Sequence, residues 1–389
     1  MDGLDEQRLL GAAAVHLGVH APLEPEFVPA WRALLQALRD EAELSQVGAW
    51  RASARLMSAL GQRASLRALE AETPELREHP LEDPIFITGL PHAATRLLHN
   101  LLARAPGLWA PRLWELQAPI PPARIDERWI DRQIRATEAM LEQLEPPDSA
   151  AAPELRRVHS HRATDPDACS WLFRNNFSSL AHALHWHVPG YVAFMREAEL
   201  GAAYRDHRRW LRVLVWRHRH DDLAGPRVVL EDPWHMGQLD ALFQVYPNAK
   251  VIQVHCDPLE AVPALARACW ALQRIDGRRP RAHDAIGRYC VELLDASLRA
   301  NAVARQRLGS ARIIDVSDRA VLEDPLAVVR TLGRRLQFPV TEPALRQASR
   351  WLLDNRFRAR AQAGRLEEFG LDRRALELRF APHQLRFAI

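Results

Sequence analysis

The alternation of apolar and polar positions separates a helical first part of the chain from a later part that contains strands. From Leu9 to Glu78, apolar side chains such as Leu34 and Leu38 recur at intervals of three and four, which is typical of amphipathic helices. His79-Pro80 interrupts this pattern, and the apolar run from Pro84 to Gly89 predicts a short buried strand. The sequence therefore predicts a helical N-terminal region over residues 1–80, followed by a second domain over residues 81–389.

Strands and helices alternate within the second domain. Helical periodicity is found from Thr95 to Ala105 and from Met236 to Tyr246. Apolar runs predict three further strands, at Arg227 to Leu230, Lys250 to His255 and Arg312 to Val316. Because strands that alternate with helices form a parallel sheet covered on both faces, the predicted fold class is α/β, a doubly wound parallel sheet flanked by many helices. A mostly helical insertion is predicted at about residues 124–224.

Composition indicates an ordinary soluble protein. Of the 389 residues, 48% are hydrophobic, and no apolar run approaches the ~20 residues that a membrane span requires. The acidic, polar N-terminus does not have the pattern of a signal peptide. The four cysteines show neither a C-x-x-C pair nor zinc-ligand spacing, which predicts reduced thiols and a cytoplasmic location: Cys169, Cys256, Cys269 and Cys290.

The basic residues are almost entirely arginine. Lys250 is the single lysine among 52 basic residues, and the net charge is only +3. A Schiff-base or phosphate-loop lysine is therefore excluded everywhere except at position 250. The arginines are interspersed with carboxylates instead of forming one basic face, so neither a nucleic-acid surface nor a membrane surface is expected.

Three segments carry a family resemblance. The segment from Pro84 to His99 contains Thr-Gly-Leu-Pro-His-Ala-Ala-Thr-Arg-Leu-Leu-His, the second is Val229-Leu-Glu-Asp-Pro-Trp-His235, and the third is Val254-His-Cys-Asp-Pro258. In order and spacing they resemble the motifs G-L-P-R-[ST]-G-T-T-L-L-H, V-L-K-S-P-x-H and T-H-R-D-P of the bacterial sulfotransferases that use 3′-phosphoadenosine-5′-phosphosulfate (PAPS). The resemblance covers the chain from about residue 40 to the end.

This resemblance implies the sulfotransferase fold, a P-loop-like doubly wound sheet with a helical N-terminal extension and a helical insertion on the acceptor side. In that family, the amides of the loop after the first strand hold the 5′-phosphosulfate. The arginine of T-H-R-D-P holds the 3′-phosphate, and the lysine of K-S-P lies near the transferring sulfuryl group.

The present chain departs from those motifs at most cofactor positions. His92 replaces the loop arginine, Ala94 replaces a glycine, and Glu231-Asp232 replaces the lysine–serine pair. Since each charge-assisted hydrogen bond to a phosphate contributes roughly 1.5–3 kcal/mol, losing several of them removes on the order of 5 kcal/mol of PAPS binding. We therefore expect no cofactor, and interpret these positions as vestigial PAPS-loop positions: Ala94, Thr95, Arg96 and Cys256.

Proton-transfer groups remain where ligands bind in doubly wound folds, beyond the carboxyl ends of the strands. The predicted catalytic residues are His92, Glu231, Asp232 and His235. These groups suit general acid–base chemistry on a small molecule, and they are compatible with cyclisation, elimination, isomerisation and hydrolysis.

The helical insertion and the loop helix supply a predicted substrate pocket, since the acceptor lies near this region in the family. Its predicted residues are His99, His182, His185, Trp186 and Trp234. The aromatic side chains could equally belong to a helical core. No metal-binding motif of known spacing is present, so no metal site is predicted.

Three functions follow from these observations. The first is a sulfotransferase-family protein that no longer uses PAPS and has been repurposed as a small-molecule enzyme for specialised metabolites. The second is an active PAPS-dependent sulfotransferase with a rewired cofactor site, and the third is a non-catalytic binding protein on the same fold. The expected partner is a small-molecule substrate, with a homodimer possible through the N-terminal helices.

Overall fold

The computed structural model describes residues 4–18, 23–81, 83–91, 93–122, 125–144, 162–218, 227–355 and 365–389. The helices are α1 Glu6–Leu17, α2 Val28–Asp40, α3 Gln46–Glu72, α4 Thr95–Leu102, α5 Leu113–Gln117, α6 Glu127–Leu144, α7 Ser170–Arg174, α8 His182–His185, α9 Pro189–Glu197, α10 Gly201–Arg217, α11 Leu239–Val245, α12 Pro258–Asp276, α13 His283–Leu308, α14 Asp318–Glu323, α15 Pro325–Leu336, α16 Glu342–Asp354 and α17 Arg373–Phe387. Short 3₁₀ helices are formed by Pro25–Phe27, Pro74–Glu78, Pro233–Gln238 and Leu366–Phe369. The strands are β1 Ile85–Gly89, β2 Leu108–Trp109, β3 Arg227–Glu231, β4 Lys250–His255 and β5 Ile313–Ser317.

The five strands form one parallel sheet in the order β2-β3-β1-β4-β5. Ile85 in the central strand β1 is paired with Val229 of β3 on one side and with Lys250 of β4 on the other. Every residue of β1 is buried, as expected for a strand that helices cover on both faces. Strands β2 and β3 lie on one side of β1, and β4 and β5 lie on the other. The direction in which strands are added therefore reverses at β1, and such folds bind ligands beyond the carboxyl ends of the strands at this switch point.

The predicted helix-rich α/β fold is confirmed, and the four predicted strands are found within one residue of their expected bounds. The edge strand β2 was missed, because two residues are too short to produce a periodic signal. The helix predicted from Met236 to Tyr246 is divided into a 3₁₀ helix and α11. Asp232 caps the 3₁₀ helix by accepting a hydrogen bond from the Trp234 amide, and Pro233 fits its first position.

The N-terminal helices pack into the same apolar core as the helices that cover the sheet. Trp31 of α2 is completely buried, and its ring meets Phe177 edge-on at 4.8 Å between centroids. The backbone oxygen of Asp276, at the end of α12, accepts hydrogen bonds from the Ser45 amide and hydroxyl at 2.9 and 3.1 Å. These contacts fix the start of α3 against α12.

None of the helices in the described residues combines the length and apolarity that crossing a membrane would require.

Gly48 is a point where the N-terminal helices and α12 approach too closely for a side chain. A Cβ at this position would overlap the carbonyl oxygen of Asp276, whereas a Cβ at Gly11 of α1 would meet nothing within 4 Å. We expect Gly48→Ala to lower the free energy of unfolding by about 2 kcal/mol or more and Gly11→Ala to raise it slightly through helix propensity. Chemical denaturation measures both values, and equal midpoints for the two variants would contradict this packing.

Candidate active site at the carboxyl ends of the strands

The loop after β1 leads into α4, and a carboxylate of the same chain accepts a hydrogen bond from an amide at the start of this helix. The Ala94 amide donates to Asp318 Oδ1 at 2.5 Å. Asp318 begins α14 directly after β5 and is only 3% exposed. Because a helix N-terminus presents unpaired amides and a positive dipole end, it is a natural anion site. Here the Asp318 carboxylate provides an anion for that site.

A second carboxylate lies at the same helix end. Glu231 is the last residue of β3, and its Oε1 accepts a hydrogen bond from the Thr95 hydroxyl at 2.8 Å. The carbonyl oxygen of Glu231 accepts from the Cys169 amide at 2.8 Å, which ties the helical insertion to the end of this strand. Burial, reinforced by the charge of neighbouring Asp232, raises the pKa of Glu231 to about 8.

Asp232 follows Glu231 and is equally buried. Its Oδ1 accepts from the Trp234 amide at 3.0 Å. Burial raises the pKa of Asp232 to about 7, although the Trp234 amide and the charge of Arg174 act in the opposite direction. The strand end therefore presents two adjacent carboxyl groups that exchange protons near neutral pH.

His235 is held on both sides by buried polar groups and is 1% exposed. Its Nδ1 lies 2.7 Å from the Tyr204 hydroxyl oxygen, which is also 3.3 Å from Gln238 Oε1. Its Nε2 lies 3.1 Å from Cys169 Sγ, so both ring nitrogens take part in hydrogen bonds. Burial lowers the pKa of His235 well below its usual value. The ring is therefore a neutral member of a hydrogen-bonded chain.

Within the described residues, the donor atoms of Cys169, Asp232 and His235 lie within 4.8 Å of one another, close enough to be considered as metal ligands. The 3.1 Å between Sγ and Nε2 is the distance of a hydrogen bond. A tetrahedral zinc ion with bonds of about 2.3 Å to sulfur and about 2.0 Å to nitrogen would hold these two atoms roughly 3.5 Å apart. The distances therefore fit a thiol–imidazole hydrogen bond better than a formed zinc site.

Several predicted pocket residues of the insertion come together in one aromatic cluster. His182 stacks on Trp186 with 5.5 Å between ring centroids, and the Trp186 indole donates to Asp276 Oδ2 at 3.1 Å. His185 accepts from Arg174 through its Nε2 at 3.2 Å. This aromatic cluster contacts both the N-terminal helices and α12.

The other predicted residues have separate surroundings. His99 bonds through Nε2 to the Val229 carbonyl at 3.1 Å and so faces the sheet, and Trp234 and Cys256 are buried in the main core. Arg96 Nη2 is 3.5 Å from Asp167 Oδ2. His92 lies outside the described residues.

Sequence reasoning did not select Asp318, Tyr204, Cys169 or Arg174. Asp318 carries a usable signal, because it comes just after the predicted strand ending at Val316 and so belongs to the same sheet edge. Tyr204 and Arg174 lie on insertion helices and Cys169 directly precedes one, and no local pattern there distinguishes a site residue from a core residue.

The match to a known family fits this geometry. Residues 84–342 match the sulfotransferase family. The chain belongs to this family. Its fold is similar to the crystal structures of two sulfotransferases. The first is STF1 from Mycobacterium tuberculosis H37Rv, with TM-score 0.79, 24% identity, and coverage of 97% of this chain and 98% of that one. The second is STF9 from Mycobacterium avium, with TM-score 0.85, 22% identity, and coverage of 99% and 97%. A search of curated protein sequences finds no significant match.

The raised pKa values of Glu231 and Asp232 predict a pH-dependent stability. Between about pH 4 and pH 8 the folded state keeps protons that the unfolded chain releases, so the free energy of unfolding falls as pH rises through this window. The double variant Glu231→Gln, Asp232→Asn removes this dependence, and we expect it to melt at a higher temperature than the parent at pH 8.5.

Thermal melts at pH 5, 7 and 8.5 measure this effect. Asp240→Asn is the control, because Asp240 is exposed and pairs with Arg307 on the surface. If the parent and the double variant lost stability in parallel between pH 5 and 8.5, the two carboxyls would not be titrating as proposed.

Proposed function

We propose that this sulfotransferase-family chain does not use PAPS, and that it is a small-molecule enzyme working by proton transfer in the former cofactor and acceptor cleft. The observation that carries the proposal is the hydrogen bond from the Ala94 amide to the Asp318 carboxylate at 2.5 Å. A buried anion of the protein occupies a donor that the family uses for the phosphosulfate.

Electrostatics oppose a nucleotide at this helix end. A bound phosphosulfate would have to displace Asp318 and would also meet Glu231, which accepts from the Thr95 hydroxyl. Displacing a buried, hydrogen-bonded carboxylate sacrifices a charge-assisted bond of roughly 1.5–3 kcal/mol and brings like charges together. At the position of the family's 3′-phosphate arginine, Cys256 is buried and offers no positive charge.

The same burial that disfavours phosphate makes the two carboxyl groups useful in catalysis. At neutral pH, Glu231 with a pKa of about 8 is mainly protonated and suits a general acid. Asp232, with a pKa of about 7, is ionised in about half of the molecules and suits a general base. The neutral Cys169–His235–Tyr204 chain positions the segment that carries Asp232. The four cysteines are buried and form no disulfide, which is typical of a reducing, cytoplasmic location.

The cofactor claim is tested by calorimetric titration with adenosine 3′,5′-bisphosphate at low salt. We expect no binding to the parent protein. We expect binding to a variant that restores the family residues and removes the competing carboxylate: His92→Arg, Ala94→Gly, Glu231→Lys, Cys256→Arg and Asp318→Ala. The matched control carries the four restoring changes and retains Asp318, and it should bind at least about tenfold more weakly.

Micromolar binding of the nucleotide to the parent would overturn the proposal and favour the PAPS-dependent alternative. Circular dichroism of each variant establishes that the fold is kept before its affinity is interpreted.

The catalytic claim is tested with compounds that co-purify with the protein and are released for mass spectrometry. We expect the parent to convert such a compound, and Glu231→Gln or Asp232→Asn to lower kcat by roughly 10²–10⁴ while Asp240→Asn leaves it unchanged. Binding of the compound without conversion, unaffected by either substitution, would instead support the non-catalytic alternative.

A further inference from the structure

Arg174, the last residue of α7, is partly exposed, but one edge of its guanidinium lies inside the protein. Its guanidinium carbon lies 3.8 Å from the centre of the Trp171 ring, and its Nη2 donates to His185 Nε2 at 3.2 Å. Its Nε is buried without a hydrogen-bond partner, and among the described residues Arg174 forms no ion pair. A buried hydrogen-bond donor that lacks an acceptor is costly, so this edge of the guanidinium is suited to a bound acceptor.

The fully buried arginines among the described residues, by contrast, have carboxylate partners. Arg63 contacts Asp206 at 3.0 Å and Glu24 at 2.7 Å, and Arg305 contacts Asp315 at 2.8 Å. Within the part of the chain that the structure describes, no carboxylate pairs with Arg174 in this way.

A second arginine adds positive charge close to Arg174. Arg55 lies nearby and shares the carboxylate of Asp276 with Arg51, at 2.9 and 3.7 Å. Asp167 is directed elsewhere, since its oxygens accept from the Trp171 indole at 3.2 Å and lie 3.5 Å from Arg96. Burial and the charge of Arg55 lower the pKa of Arg174 to about 9, against the attraction of Asp167 and Asp232.

A second buried nitrogen without a partner lies beside this arginine. His182 Nε2 has no hydrogen-bond partner, and its ring is stacked on Trp186. Burial, together with the charges of Arg174 and Arg55, lowers the pKa of His182 well below its usual value. An anion in this space would bond to Arg174 and restore favourable electrostatics for both side chains.

We infer that Arg174 binds the anionic group of an organic acid, whose flat apolar body contacts Trp171, His182 and Trp186. The Nε edge of a guanidinium matches the two oxygens of a carboxylate, and aromatic rings suit an unsaturated or aromatic body. This inference rests on the proposed function in one respect, namely that the ligand occupies the cleft beside Asp232. The anion site itself requires no turnover.

The first test separates a ligand-binding arginine from a structural one. Arg174→Met keeps the length of the side chain and removes the charge, so the melting temperature without ligand should stay at or above that of the parent. Arg63→Met should lower it strongly, because it leaves the Asp206 carboxylate buried and unpaired. A comparable loss in Arg174→Met would assign Arg174 a structural role and overturn the inference.

The second test measures binding by calorimetry, with phenylacetate as the probe and phenylacetamide as its uncharged match. We expect saturable binding of phenylacetate, weaker by about ten- to hundredfold in Arg174→Met, and at least about tenfold weaker binding of phenylacetamide to the parent. Arg274→Met is the matched control, because Arg274 also stacks on a tryptophan, at 4.1 Å from the ring centre of Trp270. Binding that is equal in the parent and Arg174→Met, or no binding of any anion, would overturn the inference.

Inorganic sulfate and adenosine 3′,5′-bisphosphate identify the source of the anion. If either bound through Arg174 more tightly than phenylacetate, the site would serve a sulfuryl or phosphate group, and both the organic-acid assignment and the cofactor-free function would fail. If neither bound while phenylacetate did, the inference would hold whether or not Glu231 and Asp232 prove to be catalytic.

Discussion

The N-terminus of α4 offers a small number of amides to an anion, and this constraint organises the whole site. In this chain, Asp318 supplies that anion from the end of β5, two strands away from β1 in the sheet. Glu231 on the other side of β1 binds the Thr95 hydroxyl of the same helix turn. The two contacts connect strands on both sides of the central one through the start of a single helix. The start of this helix is thus held by carboxyl groups that belong to the fold.

The charged side chains of the cleft fall into two groups. Carboxyl groups are concentrated at the strand ends, where Glu231 and Asp232 have raised pKa values because burial disfavours their ionisation. Arginines are concentrated on the helical insertion and α3, where Arg174 and Arg55 lie close to each other. A molecule between the groups would meet proton-transfer groups at one end and a guanidinium at the other. In the proposed function, such an arrangement would orient a polar substrate without a nucleotide.

The sequence predicted the sheet well because its strands are continuous apolar runs bounded by prolines or glycine, such as Ile85–Gly89. In the structure, Asp257 caps the helix after β4, since its carboxylate accepts from the Leu259 amide at 2.9 Å. The sequence could not predict the partners of His235, because Cys169 and Tyr204 reach that ring from an insertion that is distant in sequence. Long-range contacts of this kind depend on packing, which leaves no local pattern. The roles predicted for Glu231, Asp232 and His182 stay predictions.

The single lysine of the chain stands at the first position of β4, paired with Ile85 of β1. Strands of a parallel sheet all begin at the edge opposite to the one where they end, so Lys250 lies at the far side of the sheet from Glu231 and Asp232. With a rise of roughly 3.3 Å per residue, the strand separates it from His255 by about 17 Å. An amine-directed fluorophore would therefore attach to one defined side chain, far enough from the cleft to leave it open and close enough to report on what enters it.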